Sequence, residues 1–173
     1  MELDISQREG GINLPSLWLF SLTAYLSAYG KSLYSWRDER MEIKHQFTIK
    51  DDKDIIMVRR LGREIATSMG FNYIDQARIT TAISELARNV IKYAGSGTIC
   101  IEVIHKYAPG LSVIVIDEGP GITSIGKAME DGYSTSDSLG AGLPGVKRMM
   151  DEFLIDSVME QGTRIEVVKW LRG

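Results

Sequence analysis

Two pairs of β-rich runs are each joined by only a few residues: Thr98 to Tyr107 with Leu111 to Asp117, and Leu154 to Met159 with Thr163 to Leu171. A connection that short returns a strand antiparallel to its neighbour, because a parallel crossover needs a dozen residues or more. Ala108, Pro109 and Gly110 carry the first turn, and Gln161 and Gly162 the second. Hairpins in place of βαβ units restrict the chain to a mixed, mostly antiparallel sheet.

The remaining elements follow from periodicity. Glu42 to Ile49 alternates Ile43, His45, Phe47 and Ile49 against Lys44, Gln46 and Thr48, which predicts a strand. Asp51 or Asp52 caps a helix whose apolar positions Ile55, Val58, Leu61, Ile65 and Met69 run to Gly70. Asp75 begins a second helix ending near Tyr93, a short helix is expected around Ile125 to Glu130, and another over Leu143 to Phe153. The order β, α, α, β, β, α, β, β makes the fold class α/β, an α+β two-layer sandwich with the helices on one face.

Length and composition allow one core: 173 residues, 44% hydrophobic and 25% charged. A net charge of −3 offers no broad cationic field for a nucleic-acid backbone. Cys100 is the single cysteine, so no internal disulfide forms and a reducing, cytoplasmic setting fits; its β-like surroundings read as a buried apolar position. Residues 1–40 differ from the rest. Gly10 to Gly30 carries no charge, but Asn13, Pro15, Thr23 and three serines interrupt it, which argues against a membrane span, and the acidic N-terminus argues against a secretory signal. Three readings remain: a peripheral anchor, an added docking helix, or sequence upstream of a natural start at Met41. The last is preferred, because everything the domain over 41–173 needs lies after Met41.

Three segments carry chemistry. On the second helix Ile79, Ile83, Leu86 and Val90 form the buried stripe, while Glu85, Asn89 and Lys92 fall within about 60° of one another and about 120° from that stripe. A carboxylate there suits proton abstraction, an amide oxygen suits Mg2+, and an ammonium suits phosphate. Read alone, such a triple is ordinarily a solvated face. The run Val113 to Asp117 then ends in Asp117-Glu-Gly119-Pro-Gly121, a carboxylate at a strand end able to accept from an exocyclic amine such as adenine N6, or equally to cap a turn. Last comes Gly140-Ala-Gly142-Leu143-Pro-Gly145-Val-Lys147-Arg148, glycines opening a helix whose free amides suit a phosphate. No strand precedes it, as a dinucleotide fingerprint requires, and Val146 and Arg148 break the Walker A pattern.

ELxRN, DEGPG and GAGLPGVK, in this order, resemble the N, G1 and G2 boxes of the GHKL, or Bergerat, ATP-binding fold. Asp75 to Asn89, Glu130 to Ser136 and Gly142 to Arg148 extend the resemblance to the RsbT-type serine/threonine kinases, the stressosome switch kinases, along nearly all of 41–173. The resemblance implies ATP and Mg2+ as cofactors, with Glu85 as general base and Asn89 as metal ligand. It implies adenine recognition by Asp117 and Thr163, with Gly121 beneath the base, and a phosphate-binding edge of Gly140, Gly142 and Gly145; Gly119, Leu143 and Lys92 complete the expected nucleotide-binding set. Ile122 to Leu139 resembles an ATP lid. Tyr133 to Leu139 lacks the basic residue that some kinases of the wider family carry there, which leaves Lys92, Lys147, Arg148 or a substrate-side group as the cation for transfer.

His45 and His105 lie in strand-like runs, not on a dimerisation helix where a histidine kinase carries its phosphoacceptor, and 173 residues leave no room for a gyrase transducer domain. The resemblance instead implies a kinase acting on a STAS-domain anti-sigma antagonist, then activating a PP2C-type phosphatase once released. The alternative is a nucleotide-dependent partner-binding module with little catalysis.

Overall fold

The computed structural model describes residues 43–130 and 142–172. Five strands form one sheet: β1 (Ile43–Ile49), β2 (Gly97–His105), β3 (Pro109–Asp117), β4 (Glu152–Val158) and β5 (Gly162–Trp170). Their order is β1-β2-β3-β5-β4, and every pairing is antiparallel. Both short connections are hairpins, as their lengths require. The first is tighter than expected, since β3 already begins at Pro109 and pairs there with His105.

Helices α1 (Asp52–Ser68), α2 (Tyr73–Ala94), α3 (Ile125–Ala128) and α4 (Gly142–Met149) complete the described chain. Asp51 is the N-cap of α1: its carboxylate accepts from the Lys53 and Asp54 amides, and Asp54 reciprocates toward the Asp51 amide. Helix α2 starts two residues ahead of Asp75, because Asn72 Oδ1 caps it by accepting the Asp75 N–H at 2.9 Å. The expected helix from Leu143 to Phe153 is too long. It stops at Met149, and Asp151 pulls the chain onto the sheet: its N–H donates to the Val168 carbonyl, and its carboxylate accepts the Trp170 N–H. Phe153 therefore lies in β4.

One parity of strand residues meets the helices. Ile99, Ile101 and Val103 from β2, Leu111, Val113 and Val115 from β3, and Ile165 and Val167 from β5 join one core with Val58, Ile79, Ile83, Leu86, Val90 and Val146. The helices thus share one face of the sheet. The stripe read on α2 is fully confirmed as buried. Cys100 has the opposite parity and is buried too; burial, together with Glu102 and against the opposing effect of Lys44, pushes its thiol up to about 11, so it stays protonated at neutral pH.

Candidate functional site

Helix α2 places Glu85, Asn89 and Lys92 along one arc, graded in depth. Glu85 is 5% exposed, Asn89 half-buried and Lys92 exposed. The Glu85 carboxylate does not stand alone: its Oε1 accepts from Arg88 Nη1 at 2.8 Å. Arg88 lies inside the ELARN string but is not singled out by the motif reading; the signal was its spacing of three residues from an acid on the same helix. Lys92 extends over the neighbouring Tyr93 ring, 5.0 Å from its centroid.

At the end of β3, Asp117 is partly buried and faces Thr163 in the β3–β5 register. Its Oδ1 accepts the Gly119 N–H at 2.9 Å. Burial raises its carboxyl above the ordinary carboxylate range, opposed by backbone N–H donation from Gly119 and Thr163. Gly162 makes this approach possible. With φ of +110°, a Cβ on it would stand 1.9 Å from the Asp117 carbonyl oxygen. A Cβ on Gly121, at φ +72°, would collide with the Val158 carbonyl oxygen at 2.4 Å, so this glycine lets the loop after β3 lie against the end of β4.

Ser157 is the second residue missed. Its hydroxyl donates to the Gly162 carbonyl at 3.1 Å, lies 2.9 Å from Thr163 Oγ1 and accepts the Ile122 N–H at 2.8 Å. One β4 side chain thereby ties Thr163 to the first residue of the segment resembling a lid. No pattern in the sequence marks Ser157, because its role depends on the hairpin register that sets it opposite Thr163 and on Ile122, 35 residues away in the chain.

Tertiary packing brings the first two motifs to the same end of the sheet. A Cβ on Gly119 would lie 2.6 Å from Ala94 Cβ in the last turn of α2, and one on Gly97, the β2 partner of Asp117, 2.8 Å from Val90 Cγ1. The arc bearing Asn89 and Lys92 therefore ends beside the strand that ends in Asp117. Helix α4 leans on α2 through Leu143 and Val146, and opens with Gly142 at φ +58°. Gly142, Leu143 and Gly145 are all buried in its first turn. Lys147 and Arg148 belong to its last turn, at the helix end that favours cations, away from the N-terminal amides. Gly140 and the segment from 131 to 141 lie outside the described residues.

Among the described residues no cluster of three or more His, Cys, Asp or Glu forms a metal cage. The donor set suits a magnesium ion held by one amide oxygen, phosphate oxygens and water, the usual way this ion is bound next to a nucleotide. A half-buried amide beside a buried carboxylate, an acidic strand end tied to a threonine and a glycine-led helix together define a nucleotide-binding α/β domain.

Residues 74–172 match the family described as histidine kinase-, DNA gyrase B-, and HSP90-like ATPase. The chain is 58% identical over 125 residues to the serine/threonine-protein kinase RsbT of Bacillus subtilis (strain 168), covering 72% of this chain and 94% of that protein. It is 33% identical over 100 residues to an anti-sigma F factor of Thermoanaerobacter sp. (strain X514), covering 55% of this chain and 70% of that one. A crystal structure of the RsbU and RsbW domains of Rv1364c from Mycobacterium tuberculosis shares the fold, with a TM-score of 0.51 at 20% identity, over 74% of this chain and 32% of that one. The chain belongs to the GHKL ATPase superfamily and, within it, to the RsbT-type serine/threonine kinases. It is an ATP-dependent protein kinase of the partner-switching kind.

Proposed function

We propose that this kinase phosphorylates a serine or threonine of a STAS-domain anti-sigma antagonist and, once released from that scaffold, activates a PP2C-type phosphatase in a cytoplasmic stress response. The kinase domain is taken as residues 41–173, with 1–40 as an extension. The observation that carries the catalytic part is the buried Glu85 carboxylate one helical turn from the half-buried Asn89 amide. Asp117 and Thr163 recognise adenine, with Gly119 and Gly121 shaping the floor of that pocket. Gly140, Gly142, Leu143 and Gly145 provide the phosphate-facing edge, and Lys92 meets a phosphate oxygen.

Mg2+, when bound through Asn89, neutralises phosphate charge and orients the chain of phosphates. Glu85 accepts the proton of the incoming hydroxyl as its oxygen attacks the γ-phosphorus. Removing that acceptor while keeping side-chain shape separates binding from chemistry. Glu85→Gln should lower phosphate transfer about 10²- to 10⁴-fold and leave ATP affinity intact, read by mass spectrometry of STAS proteins from neighbouring genes and by calorimetry. Unchanged transfer sinks the base assignment.

The similarity to an anti-sigma F factor favours a second reading, in which nucleotide-dependent capture of a partner is the main output and catalysis is slight. In that case wild-type protein with Mg-ATP leaves every STAS candidate unphosphorylated while still binding one of them.

A further inference from the structure

Phosphoryl transfer spreads negative charge over the transferred group, and a cation fixed beside it lowers the barrier. Tyr133 to Leu139, just ahead of the glycine loop, contains no lysine or arginine. Lys147 and Arg148 occupy the end of α4 opposite its N-terminal amides, and Lys92 leans over Tyr93. Arg88 is placed differently. Its Nη1 is 2.8 Å from Glu85 Oε1, while half of its side chain remains exposed against 7% for Glu85. At 100° per residue it lies about 60° from Glu85, on the side away from the core stripe. A buried carboxylate oxygen thus anchors one arm of a planar fork whose remaining donors face outward, a geometry suited to phosphoryl oxygens.

We propose that Arg88 is the cation of the transfer step, a catalytic residue that Glu85 holds against the transferred phosphoryl group; this rests on Glu85 being the base. The partner's hydroxyl oxygen forms a bond to the γ-phosphorus, and the bond from that phosphorus to the β–γ bridging oxygen breaks, its electron pair leaving with ADP. The hydroxyl proton passes to Glu85 Oε2, the oxygen not bonded to Arg88. Arg88 remains protonated throughout, so its charge offsets the charge on the phosphoryl oxygens without entering the proton balance. The pair also gives a reason for a basic residue to follow the base so closely in sequence: one helical turn delivers both groups to one reacting centre.

The test uses the full chain, with Mg-ATP turnover to water as the chemical readout and Mg-ADP affinity by calorimetry as the binding readout. Arg88→Ala should lower kcat about 10²-fold or more, with Mg-ADP affinity within about threefold of wild type. Wild-type kcat in Arg88→Ala overturns the proposal. So does a loss of Mg-ADP affinity that matches the loss in kcat, which marks a structural role. Glu85→Gln separates the two assignments. If it loses turnover while Arg88→Ala keeps it, the cation proposal fails and the base stands; the opposite pair removes the base, and with it the proposal as stated.

Discussion

Asp117 shows how much a single group can depend on its surroundings. Half-buried at a strand end, it carries a carboxyl raised by desolvation, against the two backbone N–H groups that favour its charged form. If it accepts a hydrogen bond from the adenine amine, replacing it with a neutral amide removes a charge-assisted bond worth about 1.5–3 kcal/mol. Asp117→Asn should therefore weaken ATP about ten- to hundredfold by calorimetry, and an unaltered affinity counts against the adenine contact. Because the bond needs the ionised form, ATP affinity should also fall on acidification, beginning above the ordinary aspartate value of about 3.9. That Glu85 and Asn89 share one face of α2 was legible from spacing, while their proposed roles came only with the resemblance. Arg88 and Ser157 were not, since one depends on which rotamer reaches a neighbour and the other on contacts across the sheet.

Among the elements, the β4–β5 hairpin does more than close a sheet edge. Its Gly162 packs against the Asp117 backbone, and its Thr163 donates to the Asp117 carboxylate, so the turn aligns two residues of the proposed base pocket. Gly162→Ala adds a methyl where the Asp117 carbonyl already stands and holds an L-residue at strongly positive φ. It should destabilise the fold by roughly 1–3 kcal/mol from backbone strain alone, read as a lower urea midpoint, and weaken ATP in parallel. A midpoint equal to wild type would show that the hairpin relaxes freely. The hairpins themselves were evident from connection length. The end of α4 was not, because helical periodicity continues past Met149 and only the hydrogen bonds of Asp151 to β5 stop it.

Across the whole folded domain, an ion cluster joins the end of the sheet opposite the candidate site to the start of α2. Lys169, 3% exposed, lies 3.5 Å from Asp75 and 3.1 Å from Asp151, while Arg78 also reaches Asp75 and Arg172 reaches Asp151. Burial pushes both carboxyls up, but for Asp75 the bonds from Arg78, Lys169 and Asn72, and for Asp151 those from the Trp170 amide, Lys169 and Arg172, outweigh it, leaving both below the usual range. A depressed carboxyl contributes stability that is full above its unfolded value, about 3.9, and lost as pH falls through the folded one. Thermal stability should thus drop steeply below about pH 4, and Lys169→Met should flatten that drop; an acid limb equal to wild type would remove the cluster from the account. Element types, the antiparallel hairpins and the buried stripe of α2 could be read along the chain, because these follow from periods and connection lengths that act over a few residues. Which polar groups meet across elements came from the folded arrangement. The bond of Ser157 to Ile122, the approach of Gly162 to Asp117, and the pairing of Lys169 with Asp75 all join residues far apart along the chain, and local spacing carries no information about contacts that exist only once the core has closed.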